Sequence, residues 1–225
     1  MKYDERTASL LDAQDKAEKL FAEIEATLLR AGVSEKTLSD EIHALGTQRY
    51  NVRTHWHKRV VRSGPNTLLP FAENPPDRIL SADEIVYVDL GPVFEDWEAD
   101  FGRTYVLGCD EAKHRLRDAL EPTWRAVRDE YLLNPAMTGE QLYEIACRHA
   151  VDAGFEFGAY LAGHIVGSFP HERIPRDKTT LYITRGNDLP MDTVDKNGER
   201  RHWILEIHLH DKERQMGAFF EQLLV

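Results

Sequence analysis

Five residues in the last two-thirds of the chain have the types and surroundings of a site for a pair of divalent cations: Asp89, Asp100, His164, Glu206 and Glu221. Asp89 closes the apolar run Ile85-Val86-Tyr87-Val88, and Asp100 opens Phe101-Gly102-Arg103-Thr104. His164 stands between Gly163 and Gly167. Glu206 interrupts Trp203-Ile204-Leu205 and Ile207, and Glu221 follows Phe219-Phe220. Carboxylates set among such neighbours are costly to bury without a counter-charge. Four carboxylates and one imidazole make an oxygen-rich donor set for hard or borderline ions, so Mn, Fe, Co and Zn are all admissible. Two such ions lower the pKa of a shared water and polarise a carbonyl, which is the chemistry of amide hydrolysis.

Strands must hold these groups, and the sequence supplies them between helices. Leu10, Leu11, Ala17, Leu20, Phe21, Ile24 and Leu28 recur at helical spacing over 8–30, with Ala31-Gly32 as a stop. A second helix is predicted over 34–46 and a strand over 51–61, ended by Ser63-Gly64-Pro65-Asn66. Residues 71–78 read as a loop. Strands over 85–90 and 99–107 place Asp89 and Asp100, eleven residues apart, on facing arms of a hairpin, with a turn or strand start at 93–96. Long amphipathic helices follow over 111–132 and 138–153, the second opened by Thr138-Gly139-Glu140-Gln141. Glycines 158, 163 and 167 predict a flexible stretch around His164. Three further strands are expected over 180–183, 202–210 and 218–225. Strands interleaved with helices, some joined as hairpins, favour an α+β fold over a doubly wound parallel one.

In order and neighbours these motifs resemble the pita-bread (M24-type) metallopeptidase superfamily, which holds methionine aminopeptidases, Xaa-Pro aminopeptidases, prolidases and creatinases. The resemblance runs from about residue 50 to the end. Val86-Tyr87-Val88-Asp89-Leu90-Gly91 matches the strand that ends in the first aspartate, and Asp100-Phe101-Gly102-Arg103-Thr104 matches the second. Gly163-His164-Ile165-Val166-Gly167, with His171-Glu172 following, matches the Gly-His-x-x-Gly segment and its later histidine. Leu205-Glu206-Ile207 and Phe220-Glu221 stand where the family has its two glutamate motifs. The resemblance implies a fold of curved antiparallel sheets flanked by helices. It implies two divalent ions held by Asp89, Asp100, His164, Glu206 and Glu221, and hydrolysis through a metal-bridging hydroxide. Asp100, Glu221 and one of the other carboxylates would bridge, His164 would hold one ion, Glu206 would also shuttle protons, and His171 would steady the tetrahedral intermediate.

Departures from the pattern bear on the substrate. The histidine expected five residues after Asn66 is replaced by Phe71, and Phe219 occupies the place of a prolidase-type arginine. Glu206 is followed by Ile207-His208-Leu209-His210 instead of Pro-Gly. His55 and His57 flank Trp56 on the expected strand and would share a face, either as a further metal site or with one imidazole lining the pocket. His208 and His210 would share a face with Glu206. His57, Phe71 and His208 are therefore the candidate substrate contacts. Arg103 is expected to pair a local carboxylate, and Trp203, Phe219 and Phe220 to pack in the core. The substrate implied is a small peptide or a small-molecule amide. Two other readings stay open: hydrolysis of a non-peptide C–N bond, and a pita-bread protein that binds without catalysis.

Composition limits the classes. With 225 residues and 42% hydrophobic content, one sizeable domain is expected: 1–49 a short N-terminal helical segment, 50–225 the catalytic domain. The first segment is too short for the large N-terminal domain of the creatinase and prolidase types, and could pack on the fold or on a second subunit of a homodimer. A formal net charge of -11 argues against nucleic-acid binding through a basic surface. Cys109 and Cys147 lack metal-binding spacing and read as free thiols of a reducing compartment. No membrane-spanning stretch and no apolar leader are evident, so a cytoplasmic location is expected.

Overall fold

The computed structural model of the protein describes residues 4–171 and 179–225. Helix α1 (Glu5–Thr27) starts three residues earlier than the apolar pattern, because the Asp4 side chain accepts the Thr7 N–H and caps it. Ser34 caps α2 (Glu35–Arg49), which runs past Gly46 because the Tyr50 N–H still reaches the Gly46 carbonyl.

The strand expected over 51–61 is two short ones, β1 (Val52–His55) and β2 (Val60–Ser63), with a break at 56–59. The break is anchored: the Trp56 N–H donates to the Gly91 carbonyl and its indole Nε1 to the Ala99 carbonyl. A 3-10 turn (Gly64–Leu68) leads to the loop before β3 (Glu84–Leu90). Strands β4 (Pro92–Phe94) and β5 (Trp97–Glu98) fill the link to β6 (Phe101–Leu107), so the aspartate hairpin carries a second hairpin instead of a tight turn.

Helices α3 (Glu111–Leu133) and α4 (Gly139–Asp152) follow, the latter with the expected capping box between Thr138 and Gln141. The chain then forms β7 (Glu156–Phe157), β8 (Leu161–Val166), a 3-10 turn (Thr179–Leu181), β9 (Tyr182–Thr184), β10 (His202–Asp211) and β11 (Met216–Leu223). Glu172, part of the histidine motif, lies outside the described residues.

A large, strongly curved sheet dominates, with strands in the order β2-β3-β6-β11-β10-β8-β9 and β7 paired to β10; β1, β4 and β5 form a small second sheet. Every pairing among the described strands is antiparallel. The fold is thus the expected α+β arrangement. Helices α3 and α4 cover one stretch of the sheet through Leu116, Leu120, Trp124, Leu142 and Ala146, against Leu205, Ile207 and Phe220. Helices α1 and α2 bury Ala17, Phe21, Ile24, Leu38 and Ile42 against Val86, Val88 and Phe101 of the same sheet. The N-terminal helices therefore share a core with the strands that carry Asp89 and Asp100. No described helix is long and apolar enough to cross a membrane.

Of the glycines around His164, Gly158 and Gly163 serve close approach. His164 sits inside β8, and Gly163 at φ +136° brings that strand so near β10 that a Cβ would lie 2.0 Å from the Ile204 carbonyl oxygen.

Candidate metal centre

One register row across the sheet gathers the acids. Asp89 on β3 pairs with Gly102 on β6, Gly102 pairs with Glu221 on β11, and Glu221 pairs with Glu206 on β10. Paired residues of an antiparallel ladder project to the same face. Three carboxylates therefore share that face around a glycine that contributes no bulk. Asp100, two residues before Gly102, joins them by strand alternation. Like charges directly opposite destabilise a sheet, so this row calls for positive charge.

Two imidazoles meet it from other elements. The Nε2 of His164 lies 2.9 Å from Asp100 Oδ2, 3.6 Å from Glu206 Oε1 and 3.9 Å from Glu221 Oε1. The Nε2 of His57 lies 3.1 Å from Asp100 Oδ1 and 3.5 Å from Asp89 Oδ1. His57, Asp89 and Asp100 can each offer a ligand atom within 4.8 Å of the others, and so can Asp100, His164 and Glu221. Asp100 belongs to both groups.

Electrostatics report the crowding. Burial, then the neighbouring Asp100 and Glu206, push Asp89 up to about 7 even though His57 pulls it down. Burial and the surrounding carboxylates hold Glu221 well above the usual carboxylate range. Burial raises Asp100 too, but His57 and His164 outweigh it and bring Asp100 down to about 2. Both imidazoles resist the depression that burial imposes: Asp89 and Asp100 lift His57 to about 9, and Asp100 and Glu206 lift His164 to about 9. Glu221 Oε2 is buried with no hydrogen-bond partner among the described residues. An orphaned carboxylate oxygen among three further acids and two imidazole nitrogens is a donor set that fits divalent cations.

The remaining expected residues separate into those in the cavity and those behind it. A cavity of about 260 Å³ opens over the acids, walled by Phe71, Tyr87, Tyr160, Leu161, Tyr182 and Phe219. His57, His208 and His210 also line it, so the alternation of Glu206, His208 and His210 along β10 does place all three together. His208 Nε2 is 2.9 Å from Glu206 Oε2. Phe71 is half exposed, with its ring 5.7 Å from that of His57. Phe219 is buried, as expected of a core residue, yet it faces the cavity and lies against Gly102, where a Cβ would be 2.1 Å from its ring.

Two expectations need correction. His55 and His57 do not share a face, because the break after His55 reverses the alternation. His55 lies beside His43, its Nε2 buried without a partner among the described residues and its basicity reduced to about 4 by burial and by Arg59. Arg103 pairs no carboxylate among the described residues. It donates to the Gly102 and Glu221 carbonyls at 2.8 Å and to Gln222 Oε1, sandwiched between the Phe101 and Phe220 rings. It thereby clamps β6 to β11 beside Glu221. His171 stands behind the Trp56 indole, which is 5.1 Å from it and 5.2 Å from His164.

Two residues that shape the site went unnoticed in the sequence. Trp56 is the partition just described. Glu98 is buried and accepts from the His171 N–H at 3.1 Å and from its Nδ1 at 2.8 Å, and from the Gly167 N–H at 3.3 Å. Its place two residues before Asp100 was the available signal.

Solved structures share this architecture. Dipeptidase PepE from Mycobacterium ulcerans superposes with a TM-score of 0.74 at 26% identity, over 99% of this chain and 55% of that one. An X-Pro aminopeptidase from Thermotoga maritima shares the fold, with a TM-score of 0.74 at 21% identity, over 98% of this chain and 58% of that one. Fold and acid-lined cavity define the chain as a protein of the pita-bread metallopeptidase class. The signature of metallopeptidase family M24 matches residues 8–223, and the chain belongs to that family. A Xaa-Pro dipeptidase from Lactobacillus delbrueckii subsp. lactis is 27% identical over 194 residues, covering 85% of this chain and 50% of the relative. The chain spans about half the length of the curated relatives it matches.

Proposed function

We propose that the protein is a metal-dependent hydrolase of the aminopeptidase and dipeptidase type, acting on the amide or peptide bond of a small peptide. The observation that carries this is the row Asp89, Gly102, Glu221 and Glu206, completed by Asp100 and His164. Asp89, Asp100, His164, Glu206 and Glu221 would hold two cations, with Asp100 shared between them. Such a pair, when bound, activates water and polarises the scissile carbonyl.

The chain's own groups do the rest. Glu206 is positioned to carry a proton toward the leaving amine, and its hydrogen bond to His208 Nε2 sets its orientation. Glu98 holds the Nδ1 proton of His171, leaving Nε2 as the atom that can meet a substrate oxygen from beyond Trp56. Phe71, Tyr160, Tyr182 and Phe219 exclude water and receive an apolar group. The described residues of 1–49 give nothing to the cavity lining, which supports their description as a helical segment buttressing the catalytic domain of 50–225.

A second reading has an observation in its favour. No lysine or arginine lines the cavity among the described residues, so a free C-terminal carboxylate has neither an ammonium nor a guanidinium to meet there. That suits hydrolysis of a neutral small-molecule C–N bond.

Purified protein loaded with Mn, Co or Zn, assayed on free-amino dipeptides beside small neutral amides, tests both. Peptide turnover that disappears together with metal in Asp100→Asn and Glu221→Gln supports the first. Bound metal with amide turnover only supports the second. Full activity of either variant without metal refutes both, and absence of stoichiometric metal in the wild type points to a non-catalytic binding protein.

A further inference from the structure

We propose that His57 is a metal ligand, the counterpart of His164, so that each of two cations takes one imidazole and the two share Asp100. This rests on the dinuclear reading above and adds a sixth protein ligand to its five.

The two histidines are built alike. His164 donates Nδ1–H to the carbonyl of the next residue, Ile165, at 2.8 Å, and His57 does the same to Lys58 at 2.7 Å. A carbonyl only accepts, so each Nδ1 carries the hydrogen. In the neutral ring each Nε2 then holds a lone pair, and both lone pairs face Asp100, His164 on Oδ2 and His57 on Oδ1. A lone pair aimed at a carboxylate oxygen is repulsive unless a cation or a proton lies between them. Fixing the tautomer through Nδ1 is also how proteins present a ligating Nε2.

Each imidazole has its own second acid. For His164 it is Glu206 or Glu221, and for His57 it is Asp89 at 3.5 Å. His57 with Asp89 and Asp100 forms a complete three-ligand group without any atom of His164.

The backbone is arranged for this approach. The break between β1 and β2 turns His57 inward, and the two Trp56 hydrogen bonds to Gly91 and Ala99 fix the turn. Gly91 lacks a side chain where one would collide: a Cβ there would lie 2.3 Å from His57 Cδ2 and 2.5 Å from its Nε2. Phe71 stands edge-on to the ring where the family resemblance leads one to expect an imidazole. The imidazole on this side of the cavity comes instead from the β1–β2 break.

The competing explanation is a protonated His57 that merely neutralises its acids. X-ray absorption of the zinc-loaded full chain distinguishes the two without any variant. The expected result at two zinc equivalents is about one imidazole nitrogen per zinc at roughly 2.0–2.1 Å, and about half that count would overturn the proposal. Calorimetric titration with zinc and the visible spectrum of the cobalt form then compare wild type with His57→Gln. The variant should keep one tight equivalent, bind the second at least about tenfold more weakly, and lose part of the cobalt bands. Two equivalents of unchanged affinity and an unchanged spectrum would overturn the assignment of His57 alone. A wild-type chain that takes up no zinc overturns this assignment and the dinuclear reading together.

Discussion

Stripping the protein of cations should make it less stable as pH rises, and restoring them should reverse that slope. Folding raises Asp89 from 3.8 to about 7, so its contribution is fully present below pH ~4 and is lost by about pH 7. His57 and His164 move from 6.5 to about 9, so their contributions are present below about pH 6.5 and are lost as pH climbs through 9. Asp100 moves the other way, to about 2, and loses its contribution only below pH ~4, outside the range considered. Three pH units on one group correspond to about 4 kcal/mol. The cluster titrates as a unit, so this is the scale of the whole and not one share of a larger sum. For a chain of this length each kcal/mol is worth roughly 2–4 °C of Tm. The metal-free protein should therefore melt about 10 °C lower at pH 8.5 than at pH 5.5. Cation binding displaces those protons and tightens with pH, adding about 2.7 kcal/mol per site at a hundredfold excess over Kd. Calorimetric melts in EDTA and in saturating zinc, between pH 5.5 and 8.5, read both slopes. Asp89→Asn in EDTA should flatten the fall, which separates the site from the general effect of net negative charge. A metal-free Tm that rises with pH, or a slope that metal leaves unchanged, refutes the reasoning.

Gly163→Ala should cost about 3 kcal/mol or more, because it combines left-handed backbone with a Cβ 2.0 Å from the Ile204 carbonyl; a Tm within 2 °C or so of wild type would contradict the close approach of β8 to β10. Gly102→Ala drives a methyl into the Phe219 ring at the centre of the acid row, and should cost about 1–3 kcal/mol and weaken zinc binding, as calorimetry would show. Glu98→Gln should leave zinc stoichiometry intact while lowering kcat more than it raises KM, since it loosens His171 without touching the acids. Equal losses in metal content and turnover would place Glu98 in the metal site instead. Thr138→Ala removes the cap of α4 and should cost about 1 kcal/mol without changing turnover, measured by denaturant melt and activity together.

Much of this protein was legible one segment at a time. Helical periodicity and caps gave α3 and α4 to within a residue or so, because caps and amphipathic spacing are local signals. Asp89, Asp100, His164, Glu206 and Glu221 stood out because acids among strand-forming apolar residues conflict with burial unless something compensates them. Two-residue alternation also placed His208 and His210 with Glu206. What alternation cannot supply is register between strands distant in sequence. That Asp89, Gly102, Glu221 and Glu206 share one row depends on the pairing of Gly102 with Glu221, across more than a hundred residues, which joins two local hairpins and is supported by the packing of α1 to α4 on the sheet. The same limit left His57 a candidate without a partner. Its sequence reads as an unbroken strand, and only the anchoring of Trp56 on Gly91 and Ala99 breaks that strand and turns the imidazole toward Asp89 and Asp100. Sequence determined which chemical groups the chain carries and which face of its own strand each takes. Tertiary structure decided which of them meet, because register and strand breaks are set by contacts between segments that no local pattern records.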